Sequence, residues 1–292
     1  MKAAKFDYVL AESIDQVVDI LDRGDGDAIV IAGGQTLMPM LSMRLARPAT
    51  VVDINKIAEL SGIDVAGDEI VIKACTRQAA ALASAEVQTR LPLLAKAIAY
   101  VGHQQTRNRG TVGGSLSHAD PASEIPLAAL AMDAWVSLRG ASGTRRVAMA
   151  DYFLGPMMTA RADNEVLLSV HFPLPGPDSR IGTGFHEVSE RRGDFAVVAA
   201  AALVQLDGDG ICGHAALAIG GADSVPLRMA AVEEALCGSK VDRDKIQSAL
   251  GEIDDALTPG DDQHASAAYR RRVAAVLAER ALMEALSEAE NA

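Results

Sequence analysis

Two glycine pairs constrain this chain more than any other feature. Ala32-Gly33-Gly34-Gln35-Thr36 leaves the apolar run Ala28 to Ala32, and Thr111-Val112-Gly113-Gly114-Ser115 repeats the pattern later in the first half. A glycine pair lets the backbone approach a ligand and turn several N–H groups into one concavity, where they hold anionic oxygens without a lysine. An ordinary tight turn also uses glycines, so either segment alone is compatible with a turn. Both segments, however, carry amides or hydroxyls beside the glycines (Gln35, Thr36, Thr111, Ser115) that a turn does not require. Together they point to a pyrophosphate gripped from two sides.

With 292 residues, 49% of them hydrophobic, the chain can bury a sizeable core and exceeds the usual size of one domain. Two or three compact units are expected. A net charge of -12 and a pI near 4.9, with no basic stripe, argue against a nucleic-acid partner. The stretch from Met1 to Ala11 lacks the apolar core of a signal peptide, and no run is long enough to span a bilayer. The expected location is cytoplasmic. Cys75, Cys212 and Cys237 are isolated along the chain, without the paired spacing of a zinc or iron–sulfur site, and read as small buried residues. The six histidines show no two-turn spacing, so no metal is expected in this chain.

Ser13 and Gln16 form a capping box for a helix through Leu21 that Gly24 ends. Ala28 to Ala32 reads as a buried strand and Thr50 to Ile54 as the next. Ile63–Val65 and Ile70–Ala74 read as a hairpin, and Leu91 to Tyr100 as a helix. Asp120-Pro121 is a helix-start signal. Trp135–Leu138 and Arg145–Met149 read as strands. Three prolines in Pro173 to Pro177 mark a linker. Beyond it, Gly184–Val188, Ala196–Leu206 and Ile211–Ile219 predict an antiparallel meander, followed by helices over Leu227–Leu236, Asp242–Ile253 and Ala267–Ser287. Gly208-Asp209-Gly210-Ile211-Cys212-Gly213 matches a dinucleotide fingerprint, but no helix follows and no acidic residue stands about twenty positions on. It reads as a hairpin turn.

Three segments carry a resemblance: AGGQTLMPMLSMRLARP (Ala32 to Pro48), RNRGTVGGSLSHADPASEIP (Arg107 to Pro126) and SERRGDFAVVAAAALV (Ser189 to Val204). In this order they resemble the FAD-binding medium subunit of the xanthine dehydrogenase and carbon monoxide dehydrogenase family of molybdenum hydroxylases. The resemblance implies an α+β fold. It comprises a two-subdomain FAD-binding domain of the vanillyl-alcohol oxidase (PCMH) type over residues 1–176, divided near residue 55, and a C-terminal α+β domain over residues 177–292 with an antiparallel sheet and helices.

As flavin contacts it implies Ala32, Gly33, Gly34, Gln35, Thr36, Gly102, Thr111, Gly113, Gly114, Ser115 and Leu167. Glu124 stands where the family usually has aspartate, and His186 where some members have a lysine near the flavin ring; a surface-facing strand histidine is the alternative for His186. Arg191, Arg192 and Asp194 either form a surface ion pair or order a loop over the flavin. No histidine or cysteine occupies a position of covalent attachment.

By the same resemblance, molybdenum cofactor and two 2Fe–2S clusters belong to a large and a small partner subunit, in a dimer of heterotrimers. This chain would pass electrons to NAD, a quinone or oxygen. The alternative is a self-sufficient flavin reductase or oxidase of the same fold.

Overall fold

The computed structural model describes residues 2–176 and 179–292. Ser13 caps the first helix by accepting from Gln16 N–H, and Gly24 closes it, so α1 (Ile14–Arg23) buries Val17, Val18 and Leu21 on one face. That face covers a three-stranded parallel sheet in the order β1 (Asp7–Leu10), β3 (Thr50–Asp53), β2 (Ala28–Ile31). β2 is an edge strand and only half-buried, where the sequence suggested a buried one. Its C-terminal end releases the first glycine segment, which runs into α2 (Leu37–Met43).

The second sheet is antiparallel, in the order β4 (Ile63–Ala66), β5 (Glu69–Lys73), β10 (Val166–Pro173), β6 (Trp135–Gly140), β7 (Gly143–Ala148). Six helices lie between its strands in sequence: α3 (Gln78–Ala83), α4 (Ala85–Arg90), α5 (Pro92–Tyr100), α6 (Gln104–Arg109), α7 (Val112–His118) and α8 (Glu124–Ala131). A small hairpin, β8 (Phe153–Gly155) with β9 (Met158–Thr159), precedes β10.

Three local expectations need correction. Asp120 does not cap a helix: its Oδ1 accepts from Ala122 N–H, a local turn, and α8 starts at Glu124 behind Ser123. The second glycine segment is not a loop but the opening turn of α7, and α6 rather than a strand precedes it. Leu227–Arg228 forms β14 against β13, and the helix that follows, α9, begins at Ala230.

The third sheet runs β11 (Arg180–Val188), β12 (Val198–Leu206), β13 (Cys212–Gly220), β14 (Leu227–Arg228), and is joined by α9 (Ala230–Leu236), α10 (Arg243–Ala249) and α11 (Ala267–Glu290). The β12–β13 turn is the Asp207–Gly210 hairpin, with Asp207 Oδ1 accepting from Asp209 and Ile211 N–H. The sheet is buried on both faces, which explains why Val198–Leu206 lacks polar alternation. Phe185, Ala199, Ala201 and Ala218 join the core of the second sheet, while Val198, Ala200, Ala202 and Leu217 pack with α11. Gly182 and Gly184 let α11 lie directly on β11, because a Cβ at either would land on the backbone of Ala285 or Ala281.

The final proline of the linker expectation, Pro177, lies outside the described residues. Cys75 and Cys212 are buried as expected, but Cys237 is exposed, at the end of α9. Cys212 and Cys237, separate in sequence, are neighbours in the fold. Gly238 N–H donates to Cys212 O, and burial with the adjacent Cys237 thiol pushes Cys212 up to about 12.

Candidate functional site

The two glycine segments share a wall. Gly33 lies against Arg109 and Gly110, where an added Cβ would sit 2.5 Å from Arg109 O and 2.9 Å from Gly110 Cα. Arg109 and Gly110 lead into Thr111, so the first segment rests on the entry to the second. Gly34 has φ +69°, the left-handed region that glycine occupies without strain.

The segments differ in what they offer. Among the described residues, the N–H groups of Gly33, Gly34, Gln35 and Thr36 donate to no protein acceptor. The second segment spends its N–H groups internally: Val112 on Thr76 O, Gly113 on Ala74 O, Gly114 on Thr111 Oγ1 and Ser115 on Thr111 O. Thr111 is buried, and Gly113 is a close-approach glycine whose Cβ would strike Ala74. What this segment leaves accessible is Gly114 and the half-buried Ser115 with its hydroxyl. The concavity of N–H groups inferred from two glycine pairs is therefore built by one of them. Ala32 accepts from Asn55 Nδ2, and Gln35 is exposed.

Gly102 turns with φ +47° and is fixed by Arg107, whose guanidinium donates to Val101 O and Gly102 O. Gly193 packs on His103 and Gly102, which brings the Ser189–Asp194 loop to the same edge. Arg191, Arg192 and Asp194 make no ion pair among the described residues. Glu124, at the first position of α8, is 4% exposed. Burial, reinforced by the charges of Glu187 and Asp120 and opposed by its own N–H and by Arg107, pushes it up to about 8. It is a neutral acid at pH 7, able to donate as well as accept. Leu167 is 3% exposed within the core of the second sheet.

His186 does not fit its expected place. On β11 it stands opposite in facing to Phe185, and its Nε2 lies 2.9 Å from Glu284 of α11. Phe185 and Glu187 share the face turned toward the second sheet, Phe185 meeting Tyr100 at 5.2 Å between ring centroids. Glu187 is the residue that sequence reasoning missed. Burial pushes it up to about 7, and its Oε2 is buried without a partner. The strand alternation around Phe185 was the available signal.

Four unpaired N–H groups in a row, a hydroxyl beside them and two uncharged carboxyls at the far edge suit an anionic, polyhydroxylated cofactor. FAD fits this donor set. Residues 4–175 match the family model described as the FAD binding domain in molybdopterin dehydrogenase, and residues 183–285 match the CO dehydrogenase flavoprotein C-terminal domain. The chain belongs to the FAD-binding medium subunits of the molybdenum hydroxylases. It is 37% identical to the 6-hydroxypseudooxynicotine dehydrogenase complex subunit alpha of Paenarthrobacter nicotinovorans, covering 99% of this chain and 97% of that one. It is 32% identical to the carbon monoxide dehydrogenase medium chain of Hydrogenophaga pseudoflava, covering 95% and 96%.

Among solved structures, the fold matches carbon monoxide dehydrogenase from H. pseudoflava with a TM-score of 0.94 at 33% identity, covering 99% of both chains. It also matches quinoline 2-oxidoreductase from Pseudomonas putida 86 with a TM-score of 0.92 at 32% identity, again over 99% of both. This medium subunit is therefore part of an oxidoreductase, in the α+β fold that the three sequence segments imply. No helix among the described residues is long and apolar enough to cross a membrane.

Proposed function

We propose that this medium subunit binds FAD non-covalently and is the electron-exit subunit of a cytoplasmic heterotrimeric molybdenum hydroxylase that assembles as a dimer of heterotrimers. The observation that carries the cofactor reading is the row of unpaired N–H groups from Gly33 to Thr36, set against the Gly114–Ser115 edge. These groups hold the pyrophosphate, and Ser115 adds a hydroxyl. Gly102, held by Arg107, and Glu124 with its proton line the rest of the site. When bound, FAD accepts electrons singly and releases them in pairs.

The subunit takes electrons from the two 2Fe–2S clusters of a small iron–sulfur subunit and passes them to NAD, a quinone or oxygen. Hydroxylation takes place in a large molybdenum-cofactor subunit. The relatives support this division: they are named for nicotine, caffeine and carbon monoxide, yet each is 31% or more identical to this chain over 95% or more of it. A subunit that reads substrate would not stay so constant across such different molecules.

The test is anaerobic reduction of the isolated, FAD-loaded chain. Dithionite bleaches the flavin absorbance, whereas aldehydes, N-heterocycles and carbon monoxide leave it unchanged until both partner subunits are added. Bleaching by a substrate without partners would instead establish a self-sufficient flavoenzyme.

A further inference from the structure

Between the two glycine segments runs a chain of polar contacts. Tyr8 Oη donates to Asp53 Oδ2 at 2.7 Å, and Asp53 Oδ1 accepts from Asn55 N–H at 2.8 Å and Asn55 Nδ2 at 2.6 Å. Asn55 Nδ2 also donates to Ala32 O at 2.7 Å, the carbonyl where the first segment leaves β2. On the other side, Asn55 Oδ1 accepts from Arg77 Nη2 at 2.6 Å, and Arg77 Nη1 donates to Arg109 O. Arg77 further pairs with Thr111 as an isolated antiparallel bridge.

Arg109 O is the carbonyl against which Gly33 is packed. One oxygen thus fixes the approach of the first segment and receives the guanidinium that reaches back to it through Asn55. We propose that Arg77 and Asn55 are positioning residues for FAD, clamping the two segments at the separation that the pyrophosphate requires.

The chemistry of the pair supports this role. Both side-chain hydrogen bonds of Arg77 go to neutral oxygens, so its charge is not matched by a carboxylate in direct contact. A charge left over between two segments that meet a dianion favours the bound state. Only a planar fork with two separated N–H donors reaches Asn55 and Arg109 together; a lysine ammonium is a single point. The proposal rests on the FAD reading above.

The experiment titrates flavin-free protein with FAD, following flavin fluorescence, for wild type, Arg77→Ala, Arg77→Lys and Asn55→Ala. Each is measured in low-millimolar guanidinium chloride and in matched sodium chloride, with melting temperature as the folding control. Loss of a charge-assisted contact raises the Kd of Arg77→Ala by at least about ten-fold. Arg77→Lys stays weak, and guanidinium restores Arg77→Ala while leaving wild type and Asn55→Ala unchanged. That rescue separates positioning from a general loss of stability. If Arg77→Ala does not fold, the weakened Kd of Arg77→Lys and Asn55→Ala decides the question in its place.

Wild-type affinity in Arg77→Ala, full recovery with lysine, or weakening that guanidinium does not reverse overturns the clamp. A wild type that takes up no FAD overturns the cofactor reading, and the clamp with it.

Discussion

Replacing Glu124 by glutamine isolates the energetic consequence of a buried acid. The side chain is 4% exposed, and its proton is retained to about pH 8 instead of the ordinary 4.5, mainly because burial disfavours the carboxylate. An unfolded chain releases this proton near 4.5, whereas the native chain keeps it, so between these values the native state binds more protons than the unfolded one. The stability from this group is complete below pH 4.5 and is lost as the pH rises through about 8. The full span corresponds to about 5 kcal/mol, at ~1.4 kcal/mol per decade of proton affinity.

Glutamine keeps the shape and cannot ionise. Urea unfolding followed through the single tryptophan, Trp135, should therefore show the variant and wild type nearly equal at pH 5. At pH 9 the variant should be more stable by several kcal/mol. Glu187, raised for the same reason, titrates in both proteins and largely cancels in the difference. A difference that stays constant from pH 5 to pH 9, within about 1 kcal/mol, would refute the buried-acid argument.

Two substitutions probe the glycines. Gly34→Val forces a β-branched residue into φ +69° and brings its Cβ within 3.2 Å of Met38 and 3.3 Å of Ile31, so FAD Kd should rise about ten-fold or more while the melting temperature changes little; unchanged affinity would contradict the role of the turn. Gly184→Val drives a side chain into the backbone of α11 at Ala281, and thermal unfolding should show a loss exceeding the ~1–3 kcal/mol of ordinary overpacking. An unaltered melting curve would show that α11 is not seated there.

Much of the fold was legible because its signals were local. The Ser13 cap, the hairpin over Ile63–Ala74, the meander after the prolines and the rejected fingerprint at Gly208–Gly213 all appear as read. What failed depended on partners far along the chain. β10 pairs with both β5 and β6, and Val166–Pro173 carries no turn signal to announce that central place. β14 exists only because β13 offers it an edge.

The site shows the same division. Glycine pairs were visible, but sequence cannot tell that Gly113 spends its N–H on Ala74 whereas Gly33 through Thr36 keep theirs. His186 attracted the flavin role by its position in a motif, and strand facing gives it to α11. Glu187, Asn55 and Arg77 carry no motif; their meaning arises from contacts across separate elements.

The cradle at Gly33–Thr36 is where the cofactor reading is most exposed to test. The measurement is equilibrium titration of the flavin-free chain with FAD, followed by acid precipitation of the complex. A pyrophosphate cradle of this kind gives saturation at one FAD per chain, release of intact FAD into the acid supernatant, and competition by ADP, which carries the pyrophosphate without the flavin ring. A chain that takes up no FAD, retains yellow colour in the acid pellet, or binds flavin without any competition by ADP would contradict it.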